Sequence, residues 1–243
     1  MKLRLTIAYD GGPYAGWQSQ PAGNAVQDYL EKAFSKIAGT RVIVHGSGRT
    51  DAGVHALGQR AHAEVPGEQS PGEWQRALNA NLPPTIRITR LNRAPGDFHA
   101  RFSAKGKVYR YLVCNKPILP PHQFGRVFHV PQALDLGALR RAAALFTGRH
   151  DFGAFSANRG RAPRQTVRTI RKITLASRTG LIILTFEGDG FLYRMVRMVT
   201  GAMIRVAQHR EDLESLRVRL KRAAPRWNHV APAEGLYLVR VLY

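Results

Sequence analysis

Apolar and polar positions along the first hundred residues follow two different spacings. Residues 3–9 and 58–65 alternate at every second position, which is typical of half-buried strands. Residues 24–38 place apolar side chains at every third or fourth position, which predicts an amphipathic helix. A Ser-Pro-Gly-Glu sequence from residue 70 predicts the capped start of a second helix. The predicted strands and helices cover residues 3–9, 24–38, 42–44, 58–65, 71–82 and 85–92. Their order, βαββαβ, is that of a ferredoxin-like unit.

The second half of the chain repeats this order with one additional helix. Its predicted elements cover residues 107–114, 135–147, 168–176, 181–187, 191–208, 211–222 and 236–242. We therefore predict an α+β fold of two ferredoxin-like (βαββαβ) halves, residues 1–104 and 105–243, whose mixed or antiparallel sheets flank a basic cleft. A cleft between two halves is where a ligand is expected to bind.

The charge of the chain indicates a polyanionic partner. The sequence has 37 Lys and Arg residues against 16 Asp and Glu, a formal net charge of +21. Most of these cations are arginine, whose planar guanidinium binds phosphate through two hydrogen bonds and stacks on bases. Basic residues recur in nearly every predicted element, so the charge does not belong to a separable tail. Nucleic acid is favoured over an anionic membrane, because no lysine-rich amphipathic helix is present.

Two further features concern the compartment. The sequence has no run of about eighteen apolar residues, so it predicts no membrane span. Its single cysteine, Cys114, cannot form an internal disulfide. A reducing cytoplasm is the simplest location for such a chain.

A glycine-rich loop, G-S-G-R-T-D-A-G-V-H-A at residues 46–56, lies between two predicted strands. Its three glycines permit tight folding and close approach to a ligand. Arg49 stands two residues before Asp51, and a nearby arginine favours the ionised form of a carboxylate. An ionised, oriented carboxylate is what a nucleophile or general base requires. The same two residues could equally form a turn-stabilising pair, and the residue types alone leave both interpretations open.

This loop resembles the signature of the tRNA pseudouridine synthase A family, which modifies the anticodon stem-loop. Six further blocks resemble the family in the same order along the chain. They lie at Tyr9–Gln20, Asp97–Tyr111, Asp151–Phe155, Thr166–Ile170, Gly190–Arg197 and Ala231–Leu238. The resemblance therefore extends over most of the chain and implies the pseudouridine synthase fold. The segment 226–230 departs from the family's more usual small residues.

The resemblance implies a reaction without cofactor or metal. Enzymes of this family break the bond between ribose C1′ and uracil N1, rotate the base and rejoin it through C5. The family acts on tRNA at uridines 38, 39 and 40 and functions as a homodimer. The resemblance therefore implies that this chain dimerises, and we expect its C-terminal half to do so. The uridine must first leave the RNA stack.

Roles for individual residues follow from their positions in the matching blocks. Asp51 is the implied nucleophile, and attack on C1′ or on C6 of the base both remain open. Tyr109 is expected to pack against the target base and to accept the C5 proton, and Arg197 to form an ion pair with Asp51. Arg49, Arg101 and His55 are expected to contact RNA. The arginine-rich stretch 149–166 is a further candidate RNA surface.

Two other classes of protein remain as alternatives. Tandem ferredoxin-like units with basic surfaces also occur in non-catalytic RNA-binding proteins, but the glycine-rich loop would then go unexplained. A metal-dependent hydrolase could use a set of four possible ligands: His45, Asp51, His55 and His62. Their spacing matches no zinc signature.

Overall fold

The computed structural model describes residues 1–157, 165–221 and 225–243. The chain divides into two compact units, one formed by Met1–Lys105 with Tyr237–Tyr243 and the other by Gly106–Leu236. Both units combine helices with strands, so the predicted α+β class is confirmed. Residues 158–164 of the arginine-rich stretch 149–166 lie outside the described residues. Among the described helices, none is both long and apolar enough to cross a membrane.

The first unit has the six predicted elements in the predicted order. They are β1 Lys2–Tyr9, α1 Val26–Ala38, β2 Val44–Gly46, β3 His55–Glu64, α2 Pro71–Asn81 and β4 Ile86–Arg93. The strands form an antiparallel sheet in which β1 lies between β4 and β3, and β2 pairs with β3. This is the strand order of a ferredoxin-like unit.

Alternation along β1 separates the two faces of this sheet. Leu3, Leu5 and Ile7 are fully buried, whereas Arg4 between them is exposed. Helices α1 and α2 contribute their own buried stripes to the core. The predicted capping box of α2 is present, because the Glu73 amide donates to Ser70 Oγ at 3.3 Å and the Ser70 amide donates to the Glu73 carboxylate at 2.7 Å.

The second unit is built around a sheet in which the strands run in the order β5-β9-β8-β7. Its elements are β5 Gly106–Cys114, β6 Phe128–His129, α3 Leu136–Phe146, β7 Gly148–Asp151, β8 Val167–Arg178, β9 Leu181–Gly188, α4 Met195–Ala207 and α5 Leu213–Lys221. The four main strands are antiparallel, and β6 pairs parallel with β5. Cys114 is buried in this unit.

The last strand, β10 Leu236–Leu242, departs from the predicted division at residue 104. Residues 237–243 belong to the first unit, where β10 pairs parallel with β3. A glycine permits this approach, because a Cβ on Gly58 would lie 2.4 Å from the Val239 carbonyl oxygen. The end of the chain therefore completes the first sheet, although the sequence order assigned it to the second half.

Several boundaries also differ from the pattern-based prediction, and three of them lie near the predicted site residues. Strand β2 begins at Val44, two residues later than predicted, and β3 begins at His55, three residues earlier. Helix α4 begins at Met195 and not at residue 191, because Arg194 has a left-handed backbone with φ of 59°. The shift in β3 matters most, since it shortens the glycine-rich loop and places His55 on a strand.

Candidate active site

The loop that carries Asp51 joins β2 to β3 through residues 47–54. At its start the Ser47 amide donates to the Arg60 carbonyl at 2.7 Å. At its end the Val54 amide donates to the Asp51 carbonyl at 3.1 Å, which closes a turn directly after the carboxylate. Asp51 itself is half-buried. The carboxylate therefore begins a hydrogen-bonded turn in a loop whose start is bonded to β3.

Glycines let the segment after β1 pack tightly against this loop. Gly16 has φ of +95°, and a Cβ there would lie 2.6 Å from the Thr50 carbonyl oxygen and 3.1 Å from the Asp51 carbonyl carbon. The neighbouring Trp17 amide donates to that Thr50 carbonyl at 3.1 Å. The buried Trp17 ring lies against Gly46, where a Cβ would approach it to 2.5 Å. Residues before, within and after Asp51 are thus held by one close-packed segment.

Buried polar side chains complete the support of the loop. Gln59 is fully buried; its Oε1 accepts from Ser47 Oγ at 2.7 Å and its Nε2 donates to the Gly48 carbonyl at 3.0 Å. The Tyr9 hydroxyl lies 2.8 Å from Thr50 Oγ1. Burial raises the pKa of Tyr9 well above its usual value, so this hydroxyl keeps its proton. None of these supports was singled out as functional from the sequence, although Tyr9 and Trp17 lie in a block that resembles the family.

Arg49 binds a residue outside the loop. Its side chain is exposed, and its Nε donates to Gln18 Oε1 at 3.1 Å. This bond ties Arg49 to the segment after β1. The exposure of the guanidinium is compatible with the RNA contact expected for Arg49.

His55 is buried at the start of β3, where its ring stacks on Tyr237 with centroids 4.6 Å apart. Its Nδ1 lies 3.1 Å from the Gly11 amide and 3.1 Å from Asp10 Oδ1. This burial argues against the direct RNA contact expected for His55 and indicates a packing role beside the loop.

The four residues considered as metal ligands do not form one set. His45 pairs with His62 across β2 and β3, and their rings stack at 4.9 Å. His55 lies seven residues before His62 on β3, which corresponds to about 23 Å along the strand. Within the described residues no cluster of three potential ligands has the geometry to hold a metal. The hydrolase alternative therefore loses its proposed ligand set.

Arg101 lies in the loop after β4, in the same unit. It is exposed, and its guanidinium lies 5.7 Å from the ring centroid of Phe102. Phe102 is 77% exposed and stacks on His99 with centroids 4.3 Å apart. An exposed aromatic ring beside an arginine is suited to contact nucleic acid.

Tyr109 belongs to the second unit, in the middle of β5. Its ring is buried and meets Phe191 edge-to-face with centroids 5.2 Å apart. Tyr111, two residues further on, is fully buried and its hydroxyl donates to the Pro232 carbonyl. Burial raises the pKa of Tyr111, with Arg197 lowering it to a smaller extent. The two tyrosines thus have different partners on the same strand.

Arg197 lies in the first turn of α4 and is half-buried. Its Nε donates to the Ala231 carbonyl at 2.8 Å, and the Ala231 amide donates to the Arg197 carbonyl at 3.1 Å. Gly201 allows this contact, because a Cβ there would lie 2.5 Å from the His229 carbonyl oxygen. The direction of the guanidinium is therefore fixed by the chain segment before β10.

The predicted site residues consequently occupy three places. Asp51, Arg49 and His55 lie in or directly beside the loop of the first unit. Arg101 follows β4 in the same unit, and Tyr109 and Arg197 belong to the second unit. A rigid loop with a half-buried carboxylate in a strongly basic chain is the arrangement of an enzyme that modifies a nucleic acid.

Comparison with known proteins assigns the family. A family model described as tRNA pseudouridine synthase matches residues 5–103 and 142–243. The chain therefore belongs to the tRNA pseudouridine synthase family, and its enzyme class is that of an isomerase.

Individual relatives match this chain over more than nine-tenths of their own length. A tRNA pseudouridine synthase A from Akkermansia muciniphila is 48% identical over 100% of this chain and 95% of its own. Its counterpart from Methylacidiphilum infernorum is 40% identical over 99% of this chain and 94% of its own. Among solved structures, a Cbf5-Nop10-Gar1 complex matches with a TM-score of 0.39 and 11% identity over 98% of this chain and 49% of the other, a likeness too weak to support an argument.

Proposed function

We propose that this chain isomerises uridine to pseudouridine at positions 38, 39 and 40 of the tRNA anticodon stem-loop, with Asp51 as nucleophile. The observation that carries the proposal is the half-buried Asp51 carboxylate on a loop whose backbone is fixed on both sides. A nucleophile that is already oriented reacts faster, because less entropy is lost in reaching the transition state. Misplacing it by about 1 Å costs on the order of 100-fold in rate.

The reaction balances without any added group. The uridine is flipped out of the stack, which costs a few kcal/mol. An Asp51 oxygen attacks either C1′ or C6, the C1′–N1 bond breaks, and the base turns. A new bond then joins C5 to C1′, the C5 proton leaves, and N1 gains a proton as Asp51 is released. Substrate atoms supply the whole product, which is consistent with the expected absence of cofactor and metal.

Residues of the second unit have proposed roles in the same reaction. Tyr109 is the candidate base for the C5 proton, and its place in an aromatic setting beside Phe191 suits packing against a pyrimidine. Arg197 is proposed as the ion-pair partner of Asp51, which would favour the ionised carboxylate. Arg49 and Arg101 are proposed to hold the RNA backbone near the flipped nucleotide.

Asp51→Asn tests the nucleophile. We expect pseudouridine formation on unmodified tRNA to be lost, while the dissociation constant for tRNA stays within a few fold, because the amide keeps the shape of the side chain but cannot form the covalent intermediate. Asp97→Asn, an exposed acid in the same unit, is the matched control and should keep full activity. Product formation by Asp51→Asn would remove the catalytic assignment.

A pair of strand variants tests the proton acceptor. Tyr109→Phe should lower kcat with little change in the melting temperature. Tyr111→Phe should lower stability by about 1–3 kcal/mol, because the half-buried Pro232 carbonyl loses its donor, and should keep the rate per folded molecule. The proton-acceptor role fails if Tyr109→Phe retains wild-type kcat.

The resemblance also supports a homodimer and a cytoplasmic location as proposals. Sedimentation equilibrium of the full chain tests the dimer directly. A monomeric mass at concentrations where the enzyme is active would refute it.

A further inference from the structure

The register of the first sheet gathers three arginines on one face. Thr6 on β1 is paired with Arg60 on β3 and with Arg90 on β4, while Arg4 lies two residues before Thr6. Residues opposite one another share a face, and neighbouring strands lie about 5 Å apart. Arg4, Arg60 and Arg90 therefore form a triangle on the face opposite to the buried Leu5. We call this set the arginine triad.

The strands of the first sheet offer the arginine triad little negative charge. The strands β1, β4 and β10 contain no Asp or Glu. Glu64, the one acid on β3, lies 3.4 Å from Lys2 Nζ. Like charges at neighbouring cross-strand positions destabilise a sheet, so the fold keeps three cations together without an internal counterion from its own strands.

The three guanidinium groups are close enough to interact electrostatically. Arg4 and Arg90 are exposed and Arg60 is half-buried. Burial lowers the pKa of Arg60; Tyr243 opposes this shift, and the charges of Arg4 and Arg90 add to it. Tyr243 stands beside the arginine triad, with its hydroxyl donating to the Ala100 carbonyl at 2.8 Å. A bound anion would relieve this repulsion.

We infer that the arginine triad binds the phosphodiester backbone of tRNA outside the reacting nucleotide. Arg60 lies next to the start of the Asp51 loop, because its carbonyl accepts from the Ser47 amide at 2.7 Å, and about 17 Å along β3 from His55, where the loop ends. The inference rests on the proposed function for its ligand, and it extends that function by naming a contact for RNA outside the reacting nucleotide.

RNA fits this surface better than a second copy of the chain does. A second copy has the same formal net charge of +21, which opposes association through a basic face. Phosphodiesters instead release counterions when arginines replace them. The exposed Phe102, with Arg101 beside it, follows β4 in the same unit and offers a ring for an unpaired base.

The experiment compares two triple variants with equal loss of charge. The test variant combines Arg4→Gln, Arg60→Gln and Arg90→Gln. The control combines three exposed cations on or next to helices α1 and α2: Lys32→Gln, Arg41→Gln and Arg76→Gln. The dissociation constant for unmodified tRNA is measured over a series of NaCl concentrations, together with kcat, KM and the melting temperature.

We expect the test variant to bind tRNA ~10- to 100-fold more weakly near 0.1 M salt, with a log–log salt slope smaller by ~2–3, because each lost phosphate contact lowers the slope by about 0.7–0.9. KM should rise and kcat at saturating tRNA should stay. The melting temperature should not fall, since the substitution removes repulsion. The control should change the slope by less than one.

Other outcomes overturn the inference. A slope equal to that of the control, or a change in sedimenting mass without a change in slope, excludes RNA binding by the arginine triad. If the triple variant does not fold, Arg90→Gln on the edge strand β4 alone should lower the slope by about one. Failure of the proposed function is distinct: wild-type protein would make no pseudouridine, yet its tRNA binding would still depend on the arginine triad.

Discussion

The two ends of strand β3 place polar side chains in different environments. At the His55 end, buried hydrogen bonds from Gln59 and Tyr9 hold a loop around the half-buried carboxylate of Asp51. At the His62 end, the fold gathers three imidazoles, and burial together with the neighbouring rings lowers the pKa of His62 to about 4. The His55 end orients the carboxylate of Asp51, and the His62 end keeps the His62 imidazole neutral.

This difference shows that a block resembling the family need not carry chemistry itself. His99 lies in one such block, yet its Nδ1 accepts from the Arg101 amide at 3.1 Å and supports the turn that carries Arg101. His62 Nδ1 accepts from the Ala100 amide at 3.2 Å in the same way. The His62 end therefore shapes a loop, and variants at the two ends should affect different measurements.

Among variants that leave the carboxylate itself in place, the largest effect should come from Gly16→Ala. The added methyl would meet the Thr50 carbonyl oxygen at 2.6 Å and strain a backbone with φ of +95°, so the Asp51 segment must move. A displacement of about 1 Å costs on the order of 100-fold in kcat. The measurement is kcat at saturating tRNA, with circular dichroism to show that the unit stays folded.

Gly23→Ala is the matched control for backbone strain. Gly23 also has a positive φ, +66°, but nothing lies within 4 Å of its added Cβ. It should lose about 1 kcal/mol of stability and keep kcat. An equal fall in kcat for both variants would mean that the close approach to Thr50 does not position Asp51.

Gln59→Leu should have an intermediate effect. The apolar side chain leaves Ser47 Oγ and the Gly48 carbonyl without their buried partner, which costs about 1–3 kcal/mol for each unsatisfied group. We expect kcat to fall by roughly tenfold as the loop loosens. Gln75→Leu on α2, which loses a bond to the Ile88 carbonyl, should lower stability without this loss of rate. Wild-type kcat in Gln59→Leu would show that the loop keeps its shape without Gln59.

The comparison also explains what the sequence could predict. Period and capping signals located the six elements of the first unit, because buried faces such as that of Leu3, Leu5 and Ile7 leave a regular trace. The parallel pairing of β10 with β3 left no such trace. It depends on contact between residues almost two hundred positions apart and on the space provided by Gly58.

Some residues of the candidate site could likewise be predicted from the sequence, and others could not. Asp51 could be found because glycine, arginine and aspartate are unusual together in a turn. Gln59 could not, since a buried glutamine reads as one polar position in an alternating strand, and its role depends on three-dimensional contact with residues 47 and 48. The burial of His55 could not be predicted for a related reason: it follows from stacking on Tyr237, which the end of the chain supplies. The RNA contact of His55 stays a prediction.

The smallest effect on the reaction should come from the His62 end, where stability and not rate responds to pH. The folded pKa of about 4 lies below the ordinary value of 6.5. Below pH 6.5 the unfolded chain therefore binds a proton that the folded chain does not, so the free energy of unfolding falls as the pH drops towards 4, by up to about 3 kcal/mol.

His62→Asn removes this titration and keeps an acceptor for the Ala100 amide. Its melting temperature should decline less steeply than that of the wild type between pH 6.5 and 4, while kcat at neutral pH stays unchanged. Parallel melting profiles would show that His62 is not the group whose protonation destabilises the fold, and a loss of kcat at neutral pH would show that the two ends of β3 are coupled.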